Sequence, residues 1–169
     1  MARPRIFISS TYYDLKYIRS DLDRFVKDQG YESVLNEYGN IPYGNTERLE
    51  EYCYKEIDLC DILVAVIGGR FGSEGRDGKY SVSNLELKTA IDKGKQVYIF
   101  IDKTVYSEYR TYSVNKDNKK MNYAAVDDSR IYKFIEEVHA LPMNNQIQSF
   151  ESVTDITKYL KEQWAGLFQ

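Results

Sequence analysis

A short apolar run, RIFIS at residues 5–9, is closed by polar residues and followed by Leu15, Ile18, Leu22, Phe25 and Val26 at helical spacing. The pattern predicts a strand feeding a helix, which Gly30 stops. Residues 31–35 (YESVL) read as a second strand, and the turn-rich stretch 37–45, with Gly39, Pro42 and Gly44, predicts a mobile loop. Leu49, Tyr52, Cys53, Glu56, Ile57 and Cys60 return to helical spacing. Residues 62–67 (ILVAVI) then form a continuous apolar run suited to a strand covered on both faces. Residues 68–80 (GGRFGSEGRDGKY) are too rich in glycine and charge for regular structure. Leu85, Leu87, Ala90 and Ile91 resume a helix ending at Gly94, and residues 96–101 (QVYIFI) predict a fourth strand.

Strand and helix alternating in this way imply right-handed crossovers and an α/β fold. The expected architecture is an open parallel sheet of about five strands with helices on both faces. Residues 103–128 are polar and tyrosine-rich and read as an insertion before the last strand. Residues 129–140 are helical in pattern, residues 147–150 suit a short fifth edge strand, and Val153, Ile156, Tyr159, Leu160 and Trp164 predict a closing helix. At 169 residues, the chain is read as one unit over 1–169.

Charge and composition narrow the function. A net charge of −3 without a dense basic stripe argues against nucleic acid as a partner. No apolar run approaches the roughly 20 residues of a spanning helix, and residues 1–10 do not resemble a signal peptide, so neither membrane nor export is expected. Cys53 and Cys60, two turns apart along one predicted helix face, are too distant for a mutual disulfide. They read as buried thiols in a reducing cytoplasm. With one histidine, His139, a His-ligated zinc site or a Ser-His-Asp triad is not expected. His139 falls near the C-terminal end of its helix, where the helix dipole favours a charged imidazole.

In open parallel sheets ligands bind outside the carboxyl ends of the strands. After the first strand come Ser9, Ser10, Thr11 and Tyr12, hydroxyls placed to bind phosphate at a helix start or, through Thr11 and Asp14, to cap that helix. After the third come Gly68, Gly69, Arg70, Phe71, Gly72 and Ser73, where Arg70 can clamp an anion or stack on a ring. The loop lacks the Gly-Lys-Ser/Thr of a P-loop and the spacing of a dinucleotide-binding fingerprint. Ser83 to Glu86 spell S-x-x-E, a capping-box pattern that gives Glu86 a structural reading beside any chemical one.

Taken together, FISSTYYDL at residues 7–15, IGGRFGS at 67–73 and SVSNLE at 81–86 resemble the TIR-like domains of unknown function that open with an F-x-S-S-T signature. The likeness covers about residues 4–102. It implies a flavodoxin-like/TIR-like open parallel sheet with strand order 2-1-3-4-5 and cleavage of NAD at the nicotinamide–ribose bond, giving ADP-ribose or a cyclic isomer in bacterial defence or signalling. NAD would be a substrate, with no cofactor or metal. Homo-oligomerisation on activation and a separate effector protein are further implications. By motif, Glu86 takes the place of the TIR catalytic glutamate, residues 38–45 that of a mobile loop beside the active site, and residues 9–12 that of the ligand-facing first loop.

In this reading Glu86 stabilises an oxocarbenium-like ribose. Ser9, Ser10, Thr11 and Ser83 hold ribose or phosphate oxygens, Arg70 binds pyrophosphate, and Tyr12, Phe71 or Tyr80 stacks on a ring. Nicotinamide departs neutral, so no general acid is required. The common TIR pattern places Trp-Cys before the glutamate, whereas this chain carries Gly-Gly-Arg-Phe-Gly further upstream. Nucleoside deoxyribosyltransferase-like enzymes share the topology and use a glutamate nucleophile, which leaves a nucleoside or nucleotide N-glycosidase open. A non-catalytic self-associating adaptor is the other alternative, because tyrosine enrichment suits interfaces as well as ordinary half-wet surfaces.

Overall fold

The structure is a computed structural model, described over residues 2–35, 49–75, 78–143 and 146–167. Five strands, β1 (Arg5–Ser9), β2 (Glu32–Val34), β3 (Ile62–Ile67), β4 (Gln96–Asp102) and β5 (Ile147–Phe150), pair in parallel in the order β2-β1-β3-β4-β5. Among the described residues six helices accompany them: α1 (Lys16–Asp28), α2 (Leu49–Asp58), α3 (Val82–Asp92), α4 (Lys103–Val114), α5 (Arg130–His139) and α6 (Val153–Leu167). The predicted α/β class and strand order are those observed.

The period-two alternation of a strand splits the core in two. Phe7, Leu63, Ala65, Val97, Ile99 and Ile101 face Cys53 and Ile57 of α2, Leu87 and Ala90 of α3, Val105 of α4 and the apolar stripe of α5. Ile6, Ile8, Ile62, Val64, Val66, Tyr98 and Phe100 face Leu15, Leu22 and Val26 of α1 and Ile156, Leu160 and Trp164 of α6. Trp164 is fully buried, stacked on Phe25 at 5.6 Å and met edge-on by Tyr31 at 5.4 Å. Burial of this size contributes on the order of 3 kcal/mol. It pins α6 beside α1. Cys53 and Cys60 are buried free thiols, with Cys60 just past the end of α2.

Part of the segment read as an insertion is regular. Asp102 accepts from the N–H groups of Thr104 and Val105 and caps α4. Tyr106, Tyr109 and Tyr112, three residues apart, share one face and cluster with Tyr123, Tyr132 and His139. The side chain of Glu108 accepts from the Tyr132 hydroxyl at 2.6 Å and from the N–H groups of Ala124 and Ala125. These bonds fold the chain after α4 back onto the sheet. His139 ends α5 as expected, and its Nε2 lies 3.1 Å from the Tyr106 hydroxyl.

Candidate functional site

Ser9 ends β1, two residues beyond Phe7 and therefore on the same face, toward α3. The chain then turns through residues 10–15 before α1 begins at Lys16. Leu15 occupies the N-cap and makes no side-chain cap bond. The capping reading of Thr11 with Asp14 is thus corrected: the Thr11 hydroxyl donates to the Asp14 carboxylate, and both lie short of the helix. The phosphate expectation at this helix start changes for the same reason, because the hydroxyls sit on a turn.

The start of α3 lies two residues earlier than S-x-x-E suggests. Ser81 is its N-cap and accepts from the N–H of Asn84 at 3.1 Å. Glu86 therefore falls in the second turn, out of reach of the cap, and its Oε1 accepts from the Ser9 hydroxyl at 3.0 Å. Glu86 is 7% exposed and Ser9 2%. The capping-box role of Glu86 is set aside.

Glu86 and Ser83 form one wall of a cavity of about 320 Å³ at the carboxyl end of the sheet. Ser10, Thr11, Tyr12 and Tyr13 from the loop after β1 face them, with Arg19 of α1, Cys53 of α2 and Arg70 after β3 completing the surround. The volume falls in the range of small-molecule sites. Glu86 is the one carboxylate lining it among the described residues. Arg19 is buried, and its guanidinium donates to the Ser10 carbonyl at 3.2 Å and to the Ser10 hydroxyl at 2.9 Å. Arg70 is exposed and lies over the Tyr13 ring at 5.0 Å. Among the described residues no three His, Cys, Asp or Glu side chains converge as a metal site would need.

The structure gathers Ser10, Thr11, Tyr12, Arg70, Ser83 and Glu86 at this cavity, and three expectations need correcting. Ser9 lies behind Glu86 and does not line the cavity, because strand alternation turns it into the sheet–α3 interface. Phe71 is buried and borders only a neighbouring crevice. Its N–H donates to Asp127 at 2.9 Å, and the Arg130 guanidinium covers its ring at 4.1 Å, so a ligand ring has no open face there. Tyr80 belongs to the core: its hydroxyl donates to Glu137 at 2.8 Å, its ring meets Phe134, and it is absent from the cavity wall. The loop expected at residues 38–45 lies outside the described residues. Arg19 and Cys53 were not anticipated. Arg19 occupies the stripe of Leu15, Leu22 and Val26, where an arginine on a core-facing row is itself a signal.

The chain is thus an α/β protein whose open parallel sheet carries a cavity of about 320 Å³, with a buried carboxylate in its wall, at the carboxyl end of its strands. The chain belongs to the DUF4062 family, a domain of unknown function, whose profile matches residues 5–165. It is 22% identical over 177 aligned residues to a TPR repeat-containing protein of Dictyostelium discoideum, covering 94% of this chain and 10% of that protein. The chain thus spans about a tenth of the length of this curated relative. Among solved structures it is similar to the CMP N-glycosidase BcmB of Clostridium botulinum, with a TM-score of 0.55 and 15% identity over 94% of this chain and 98% of that one. At that identity the likeness supports the shared fold.

Proposed function

We propose that this protein is a nucleotide N-glycosidase with Glu86 as its catalytic carboxylate. The observation that carries the reading is the placement of Glu86: buried, held by Ser9, and in the wall of a cavity large enough for a nucleotide. The fold neighbour whose name is a CMP N-glycosidase supports the same substrate class. The NAD-cleaving expectation rests on the TIR-like resemblance alone, so the nucleotide reading takes its place.

In the reaction, the C1′–N bond breaks and its electron pair leaves with the base. The sugar carbon becomes oxocarbenium-like, and a carboxylate in a water-poor wall stabilises that charge or bonds C1′ before water does. Water then supplies oxygen to C1′, the base acquires a proton, and the carboxylate is restored. Arg19 and Arg70 supply cations for a phosphate, Ser10 and Thr11 offer hydroxyls to the sugar, and Tyr12 gives the base an aromatic neighbour.

The test is incubation of the protein at several concentrations with CMP, UMP, AMP, GMP, the matching nucleosides and NAD, followed by mass analysis. The expected outcome is free base together with ribose 5-phosphate from at least one monophosphate. Folded protein that releases no base from any monophosphate at any concentration overturns the proposal. NAD loss with the monophosphates intact would return the substrate to the earlier expectation.

A further inference from the structure

Ser9 has two acceptors within reach and one proton to give. Its Oγ lies 3.0 Å from Glu86 Oε1 and 3.3 Å from the carbonyl oxygen of Ser83. A serine hydroxyl donates to one of these at a time and can itself accept. While Glu86 is ionised, the charge-assisted bond to the carboxylate is the stronger. When Oε1 gains a proton, that proton can be donated to Ser9 Oγ, and the Ser9 hydrogen turns to the Ser83 carbonyl. In both states Ser9 Oγ and Glu86 Oε1 keep each other as partners, and leaving either unmatched in a site this enclosed would be costly.

We propose that Ser9 is a positioning residue: a hydroxyl rotor that fixes the Glu86 carboxylate at the cavity wall and holds it ionised. Its catalytic consequence rests on the N-glycosidase reading, but its effect on Glu86 does not. Ser9 cannot touch a ligand, being 2% exposed and off the cavity surface. Its place is set by the sheet, where it pairs in register with Ala65 of β3, so the donor is fixed before any ligand arrives. Among the described residues, the other charged or titratable groups bordering the cavity are Arg19 from α1, Cys53 from α2, Arg70 after β3, and Tyr12 and Tyr13 after β1. They remain when Ser9 is changed, so a comparison at position 9 isolates the hydroxyl.

The experiment is a carboxyl-carbon NMR titration of protein labelled with ¹³C-glutamate, the Glu86 signal being assigned by its loss in Glu86→Gln. Removal of a donor to the ionised form raises the protonation midpoint. Ser9→Ala is expected to raise it by about one pH unit. Ser9→Cys keeps the shape with a weaker donor, gives a smaller rise, and carries the comparison if Ser9→Ala does not fold. With a cleavable nucleotide, the acid limb of kcat moves to higher pH in the same order. Coincident midpoints in wild type and variants overturn the proposal. Shifted midpoints in protein that cleaves nothing in the substrate panel uphold the role of Ser9 and sink only the N-glycosidase reading.

Discussion

Two glutamates of near-equal burial stand at opposite ends of the same sheet. Glu56 on α2 is 6% exposed and Glu86 on α3 is 7% exposed. At the amino end of the strands Glu56 meets the Arg5 guanidinium, which also reaches Glu32 at 3.1 Å and the Leu59 carbonyl at 3.3 Å. Burial pushes the nearby Cys60 thiol up to about 12, with Arg5 opposing the rise. At the carboxyl end Glu86 accepts from a neutral hydroxyl and borders a cavity. A buried carboxylate tied to an arginine away from any cavity serves the fold, whereas one that forms part of a cavity wall is also placed to meet a ligand.

The sharpest way to break this contrast is Glu86→Gln. The amide keeps the shape and can still accept from Ser9, so melting should change little while nucleotide cleavage falls by about a thousandfold or more. Base release and circular dichroism on the same preparation check both halves, and a fully active variant would remove Glu86 from the chemistry.

Arg5→Ala makes the reciprocal cut. It strips Glu56 of its cation and should cost about 1–3 kcal/mol in urea unfolding, Arg5 being only partly buried, with the remaining folded protein as active as before. Activity lost in proportion to Glu86→Gln would show that the two ends are not independent.

Glu108 sharpens the comparison with the smallest effect. Burial opposes its ionisation, yet the Tyr132 hydroxyl and the N–H groups of Ala125 and Ala124 outweigh that and hold its carboxyl below the ordinary range. A folded-state value below the unfolded one gives stability that is present above the unfolded value and lost as pH falls through the folded one. The protein should therefore lose stability as pH drops below about 4.5. Tyr132→Phe should remove about 1 kcal/mol at neutral pH and flatten that acid-side loss, as read from urea midpoints across pH. Like Glu86, Glu108 accepts from a hydroxyl, but it lines no described cavity, so such a bond does not by itself make a site.

The sheet was legible because its strands are apolar runs between polar turns, as with ILVAVI in β3, and because Gly30 and Gly94 stop α1 and α3 in the left-handed conformation. Helix α4 was hidden because its half-buried stripe is built from Tyr106, Tyr109 and Tyr112, which a hydropathy pattern scores as surface. At the site, motif and spacing located Glu86, Arg70 and the hydroxyl loop. They could not say that Ser9 turns inward, that Tyr80 joins the core, or that Arg19 reaches the cavity from the first turn of α1. Those outcomes depend on which face of a strand or helix meets which neighbour. A shift of two residues at the N-cap, Ser81 rather than Ser83, decides whether Glu86 ties its own backbone or lines a cavity.

The glycine-rich wall of the cavity does not stand by its own means. Gly69 accepts from the N–H of Asp127, a Cβ at Gly69 would lie 2.2 Å from the Ala125 carbonyl oxygen, and Arg130 reaches back to Glu74 at 2.9 Å and to the Gly78 carbonyl at 2.7 Å. A fragment cut ahead of Asp127 would retain four strands and the three helices that line the cavity, yet the arch bearing Arg70 would have lost its buttress.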